Sequence, residues 1–160
     1  MININIICVG KLKESYLKEA LGEYQKRLKP YCKLSVVEVP EYKIPDNPSQ
    51  KDIDKCILME GKNILSKIPS GAYIISMCIE GKMMSSCELA RKIENIAVSE
   101  NSNIAFIIGG SYGLSDEVKN SSGLRLSVSR MTFPHQLARV MLCEQIYRVF
   151  QILNGGKYHK

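Results

Sequence analysis

A chain of 160 residues, 45% apolar and 24% charged and free of low-complexity tracts, has the make-up of one folded domain and excludes a disordered or fibrous protein. Its 22 lysines and arginines outnumber 16 acidic residues, and the resulting charge of +6 favours an anionic partner such as nucleic acid without identifying it. The opening stretch Met1–Ile7 lacks the basic and long apolar segments of a secretion signal, and no apolar run approaches the roughly 18 residues of a membrane span, so a cytoplasmic protein is expected.

Ile2, Ile4 and Ile6 alternate with Asn3 and Asn5 before Ile7-Cys8-Val9 and Gly10, which predicts a strand over residues 2–9. From Leu12 to Leu28 the apolar positions Leu12, Tyr16, Leu17, Ala20, Leu21, Tyr24 and Leu28 recur at helical spacing, so an amphipathic helix follows. A second strand over 34–39 ends at Pro40, and 40–49, without apolar period, reads as a mobile loop. Residues 50–67 read as a helix. The near-continuous apolar run Ala72–Met77 predicts a strand buried on both faces at the sheet centre, with Glu80-Gly81 turning the chain after it. Ser85 and Glu88 form a capping box ahead of a helix to about 98. Asn103–Ile108 repeats the buried-strand pattern and runs directly into Gly109-Gly110-Ser111-Tyr112-Gly113. A short polar helix near 115–120, a last strand over 124–129 and a long helix from Pro134 to about 154 complete the chain. Strict alternation of strand and helix implies a three-layer α/β fold with a mainly parallel sheet, one domain over 1–160.

A glycine loop at the carboxyl end of a buried strand lets a ligand approach the main chain closely. Gly109, Gly110 and Gly113 suit that role or that of a tight turn, and neither a GxGxxG spacing nor a Walker lysine is present. His135 falls in the first turn of the last helix, where it is a candidate base, an anion contact or a structural hydrogen-bonding group. Arg139, four residues on, shares its face, and Glu144 with Arg148 reads as a helix-stabilising i,i+4 pair. The tail Gly155–Lys160 carries Tyr158 and His159, groups able to stack on bases or meet phosphate. Cys8, Cys32, Cys56, Cys78, Cys87 and Cys143 form no CxxC pair and read as free thiols; with two distant histidines they match no zinc spacing, so no metal is expected.

Phe106-Ile107-Ile108-Gly109-Gly110-Ser111-Tyr112-Gly113, the run Leu126–His135, Arg139, Glu144-Gln145-Ile146-Tyr147-Arg148 and the Tyr158-His159 end together resemble the ribosomal large subunit methyltransferase H family of the SPOUT superfamily, along the full chain. The resemblance implies a C-terminal trefoil knot, a homodimer, and methyl transfer from S-adenosylmethionine to N3 of a pseudouridine in 23S rRNA of the assembled 70S ribosome. It places the cofactor on Met77, Gly109 and the segment Val128, Ser129, Arg130, Met131, Thr132 and Phe133. It makes His135, Arg139, Tyr158 and His159 the candidates to bind or deprotonate the target, the last two from a partner subunit. A non-catalytic RNA-binding protein on the same fold and a transfer-RNA enzyme are the competing readings.

Overall fold

The computed structural model describes residues 1–99 and 101–160. In chain order they form β1 (Ile2–Val9), α1 (Ser15–Leu28), β2 (Cys32–Val39), α2 (Gln50–Lys67), β3 (Tyr73–Met83), α3 (Ser86–Ser99), β4 (Asn103–Ile108), α4 (Asp116–Asn120), β5 (Leu124–Ser127) and α5 (His135–Leu153). All strand pairs are parallel, in the order β2-β1-β4-β3-β5. The middle strand is therefore β4, and β3, expected at the centre, is an interior strand beside the short edge strand β5.

Alternation along the strands divides two cores. Ile4, Ile6 and Cys8 of β1 and Ile104, Phe106 and Ile108 of β4 face α1, α3 and α5, while Ile7, Val9, Ala105 and Ile107 face α2 and α4. Both faces of β1 and β4 are thus buried, which is why their sequences are almost continuously apolar. On the first face α5 lies between α1 and α3, offering Val140, Cys143, Ile146, Val149 and Phe150. Side-chain caps set the starts of α2, α3 and α4. Ser85 and Glu88 close the expected capping box, with Ser85 N–H donating to Glu88 Oε2 at 2.7 Å and Glu88 N–H to Ser85 Oγ at 3.1 Å. A second box joins Ser49 and Asp52 at α2. Pro134 stands one residue outside α5, as its cap, rather than at the first helical position, and its carbonyl accepts from Ala138 N–H at 2.9 Å. No helix among the described residues is long and apolar enough to cross a membrane.

The chain does not turn at Glu80-Gly81. It continues in β3 to Met83, because a second stretch of pairing with β5 follows the first: Leu126 is registered with both Met77 and Lys82. Residues 78–81 between those partners stand off as a bulge. Gly81 closes it against the neighbouring strand, where a Cβ would sit 2.8 Å from the carbonyl carbon and oxygen of Arg125 and from the carbonyl carbon of Leu126. Main chain cannot yield as a side-chain tip can. Gly81→Ala is expected to cost about 2 kcal/mol of stability, read as a lower thermal midpoint with unchanged secondary structure; an unshifted midpoint would contradict the close crossing.

Candidate functional site

The bulge of β3 and the carboxyl ends of β4 and β5 open into a cleft of about 870 Å³. Its floor is apolar, with Met77, Ile108, Leu114 and Leu126, and its rims are the glycine loop 109–113 and the segment 127–135. Two of the three strands reach it only through late parts of the chain, so the site is assembled from distant sequence.

The glycine loop is closed by Gly113 N–H donating to Gly110 O at 3.1 Å, with Gly113 at φ 84°, a conformation glycine adopts without strain. Gly109 serves the same turn: a Cβ there would stand 2.8 Å from Gly113 O and 3.0 Å from the Leu114 side chain. A substitution at 109 therefore breaks the turn rather than filling the cleft. The amides of Ser111 and Tyr112 have no protein acceptor among the described residues.

Opposite, β5 ends at Ser127, two residues earlier than its sequence suggests, which frees 128–133 to line the cleft. The segment is braced from within: Ser127 Oγ donates to Ser129 O at 2.9 Å, and Met131 N–H donates to Ser129 Oγ at 2.9 Å. Met77, Gly109, Val128, Ser129, Met131, Thr132 and Phe133 all line the cleft, whereas Arg130 is exposed outside its lining. Glu80 and Lys119 form a 2.6 Å ion pair on the wall. That pair escapes sequence reasoning because the bulge carrying Glu80 reads as a turn.

His135 lines the cleft at the start of α5, and its Nε2 is buried without a hydrogen-bond partner. Burial, assisted by the charges of Arg139 and Lys13 and opposed by Glu41, holds its pKa below the ordinary value, so the ring is neutral at pH 7. Arg139 shares the helical face of His135 but not the cleft. It is 1% exposed; Nη1 meets Glu38 Oε2 at 2.9 Å and Nη2 donates to Gly10 O at 2.9 Å. Leu12 N–H donates to the same Glu38 oxygen at 3.3 Å, and Lys13 N–H to Gln136 Oε1 at 3.1 Å, so the β1–α1 turn is stitched to the first turns of α5. Sequence spacing finds the shared face correctly and misses that it turns inward at its second member.

Tyr158 and His159 also lie away from the cleft of their own chain. Tyr158 Oη donates to Glu144 Oε1 at 3.1 Å, and its ring meets Tyr147 edge-on at 4.9 Å with the Arg148 guanidinium 4.7 Å from its centre. His159 contacts Cys87 Sγ at 3.5 Å and Arg148 Nη1 at 3.3 Å. Glu144 and Arg148 form the expected i,i+4 pair, at 2.6 Å, and serve as the tail's anchor. The cysteines are unpaired. Burial pushes Cys8 and Cys32 up to about 11 and Cys143 to about 12, which leaves them protonated and inert as nucleophiles at neutral pH.

A parallel α/β layer fold with a ligand cleft of glycine loop and strand-to-helix segment defines a class, and a family model described as "Predicted SPOUT methyltransferase" matches residues 2–159. A solved structure of a probable methylase family protein from Haemophilus influenzae shares the fold, with a TM-score of 0.56 at 16% identity over 99% of this chain and 71% of that one. Proteins named "Ribosomal RNA large subunit methyltransferase H" are similar throughout: 52% identical in Clostridioides difficile, 55% in Clostridium botulinum and 54% in Clostridium novyi, each over 99% of this chain and 100% of the relative. The chain belongs to the ribosomal RNA large subunit methyltransferase H family of SPOUT methyltransferases.

Arg139→Ala is expected to lower the unfolding free energy by about 3 kcal/mol, because it leaves a cavity and unties Gly10 and Glu38. Chemical denaturation measures this. A residue that only touches substrate would leave stability unchanged.

Proposed function

We propose that the protein is an S-adenosylmethionine-dependent methyltransferase that modifies N3 of a pseudouridine in 23S rRNA of the assembled 70S ribosome, acting in the cytoplasm as a homodimer. One observation carries the reading: Met77, Gly109, Val128, Ser129 and residues 131–133, separated in sequence, meet on one cleft with His135 beside them. The relatives' shared name, which states a large-subunit rRNA methyltransferase, supports the substrate class.

The residues present suit such a donor. A nucleoside needs an apolar slot edged by main-chain polar groups. Ile108, Leu114 and Leu126 offer the slot, and the uncommitted amides of Ser111 and Tyr112 offer the edge. When bound, the donor supplies an electrophilic methyl carbon on a sulfonium. The chain must hold the target nitrogen in line with it and remove the N3 proton, and positioning supplies much of the acceleration. His135, neutral and lining the cleft, is the group placed to take that proton. Arg139 acts from beneath, as a positioning residue fixing the α5 start. Arg130, exposed by the mouth, suits an rRNA phosphate. Tyr158 and His159 reach the cleft of a second subunit when they leave Glu144 and Arg148, and threading of the C-terminal segment as a trefoil knot belongs to the same reading.

Labelled S-adenosylmethionine and 70S particles lacking the modification test the proposal directly. Mass mapping of 23S rRNA should show one added methyl on one pseudouridine; label on transfer RNA instead, or none, refutes it. The pH profile tests His135 separately. Because its pKa lies below the usual value near 6.5, kcat/KM should hold through neutral pH and fall only as pH drops beneath that value. His135→Gln should lose that acid limb together with most activity, on the order of a hundredfold. A limb that persists in the variant removes His135 from the proton transfer.

A further inference from the structure

Behind the glycine loop lies an acidic side chain that the chemistry above does not use. Glu60 of α2 is 4% exposed. One carboxylate oxygen, Oε2, accepts from Tyr42 N–H at 3.0 Å and so ties down the start of loop 40–49, which sequence alone reads as mobile. The other, Oε1, is buried without any partner. It points at Gly110, where a Cβ would stand 3.0 Å from it and 3.1 Å from Val9. The next residue, Gly61, packs so closely that a Cβ would collide with Ser115 Oγ at the far end of the same loop. The Glu60-Gly61 step of α2 therefore abuts both ends of segment 110–115, from the side opposite the cleft.

A buried carboxylate with a single hydrogen bond is costly to keep. The groups facing Glu60 offset that cost only in part: the Tyr42 amide and the Cys56 thiol favour the ionised form, Glu41 is of like charge, and Val9 and Gly110 carry no charge. Burial and Glu41 accordingly push its pKa above the usual carboxylate range. Between the ordinary and the raised value the folded chain holds more protons than the unfolded one, so stability falls as pH rises through that window. The ionised group destabilises the fold, and a group retained at such a cost suits a functional constraint.

We infer that Glu60 is a positioning residue for methyl-donor binding: it anchors loop 40–49 through Tyr42 and holds its free oxygen behind Gly110 as the acceptor for a glycine-loop amide when the cleft fills. The inference rests on the donor site proposed above. Glu60→Gln is the discriminating variant, because its amide oxygen still accepts from Tyr42 while an N–H₂ donor replaces the acceptor at Gly110. Calorimetry with S-adenosylhomocysteine should show affinity weakened on the order of tenfold. The thermal midpoint of the unliganded variant should rise by roughly 2–4 °C, since the buried charge is gone. Hydrogen exchange at Gly110 should slow on ligand binding in the original protein and not in the variant. Affinity within twofold of the original, or affinity and midpoint falling together, overturns the inference, the second outcome making Glu60 a structural residue only. Failure of the unaltered protein to bind S-adenosylhomocysteine instead removes the donor site, and the inference with it. Gly110→Ala approaches the contact from the other side: its Cβ meets Oε1 and lifts the loop, so it too should weaken binding, and unchanged affinity there counts against the loop–carboxylate contact.

Discussion

The buried Arg139 guanidinium is the contact on which the rest of the site depends. It reaches from α5 to Glu38 at the end of β2 and to the Gly10 carbonyl at the end of β1, joining residues more than a hundred positions away. A charge taken out of water is tolerated only where its partners are fixed, and here one partner is a main-chain carbonyl that cannot swing aside. Glu38 is shared with Leu12 N–H, so helix, strand end and turn are determined together. His135, one helical turn earlier, inherits its position, and the same positive charge helps to keep its ring neutral. Scaffold and site are thus one electrostatic arrangement.

Much of the architecture was legible because buried parallel strands impose a recognisable demand. Ile104–Ile108 has to be apolar on both faces, and a strict strand–helix alternation leaves few layer arrangements. The strand order was not legible, since Ala72–Met77 and Asn103–Ile108 carry equivalent patterns and only tertiary pairing decides which stands in the middle. Nor was the course of residues 78–81, where Gly81 looks like a turn residue yet is required by the neighbouring strand's main chain. Local sequence states that a side chain is missing, not what occupies its place.

The site divides in the same way. The glycine loop and the segment 128–133 stand out by composition and by resemblance, and both edge the cleft save for Arg130. Side chains that serve through distance were harder. Arg139 and His135 share one helical face, but burial separates a guanidinium held by Glu38 and Gly10 from a cleft-lining imidazole. Glu60 and Glu80 gave no signal at all, because an acidic residue in a helix or beside a glycine ordinarily faces water. Only packing shows that one stands behind the glycine loop and the other is paired to Lys119.

The order in which the cleft's walls occur along the chain also bears on how the protein comes into being. Met77 and its neighbours are synthesised early, but the glycine loop, β5, the segment 128–133 and His135 all lie beyond residue 108. The edge strand β5 settles beside β3 rather than beside β4, the strand that precedes it, and pairs on both sides of the bulge. Such non-local pairing is slow relative to helix formation. The recess is therefore complete only when the last third of the chain is in place. A nascent chain that ends at residue 108 carries four strands and three helices but none of the later walls of the recess, which separates the sequence of the sheet from the sequence of the site.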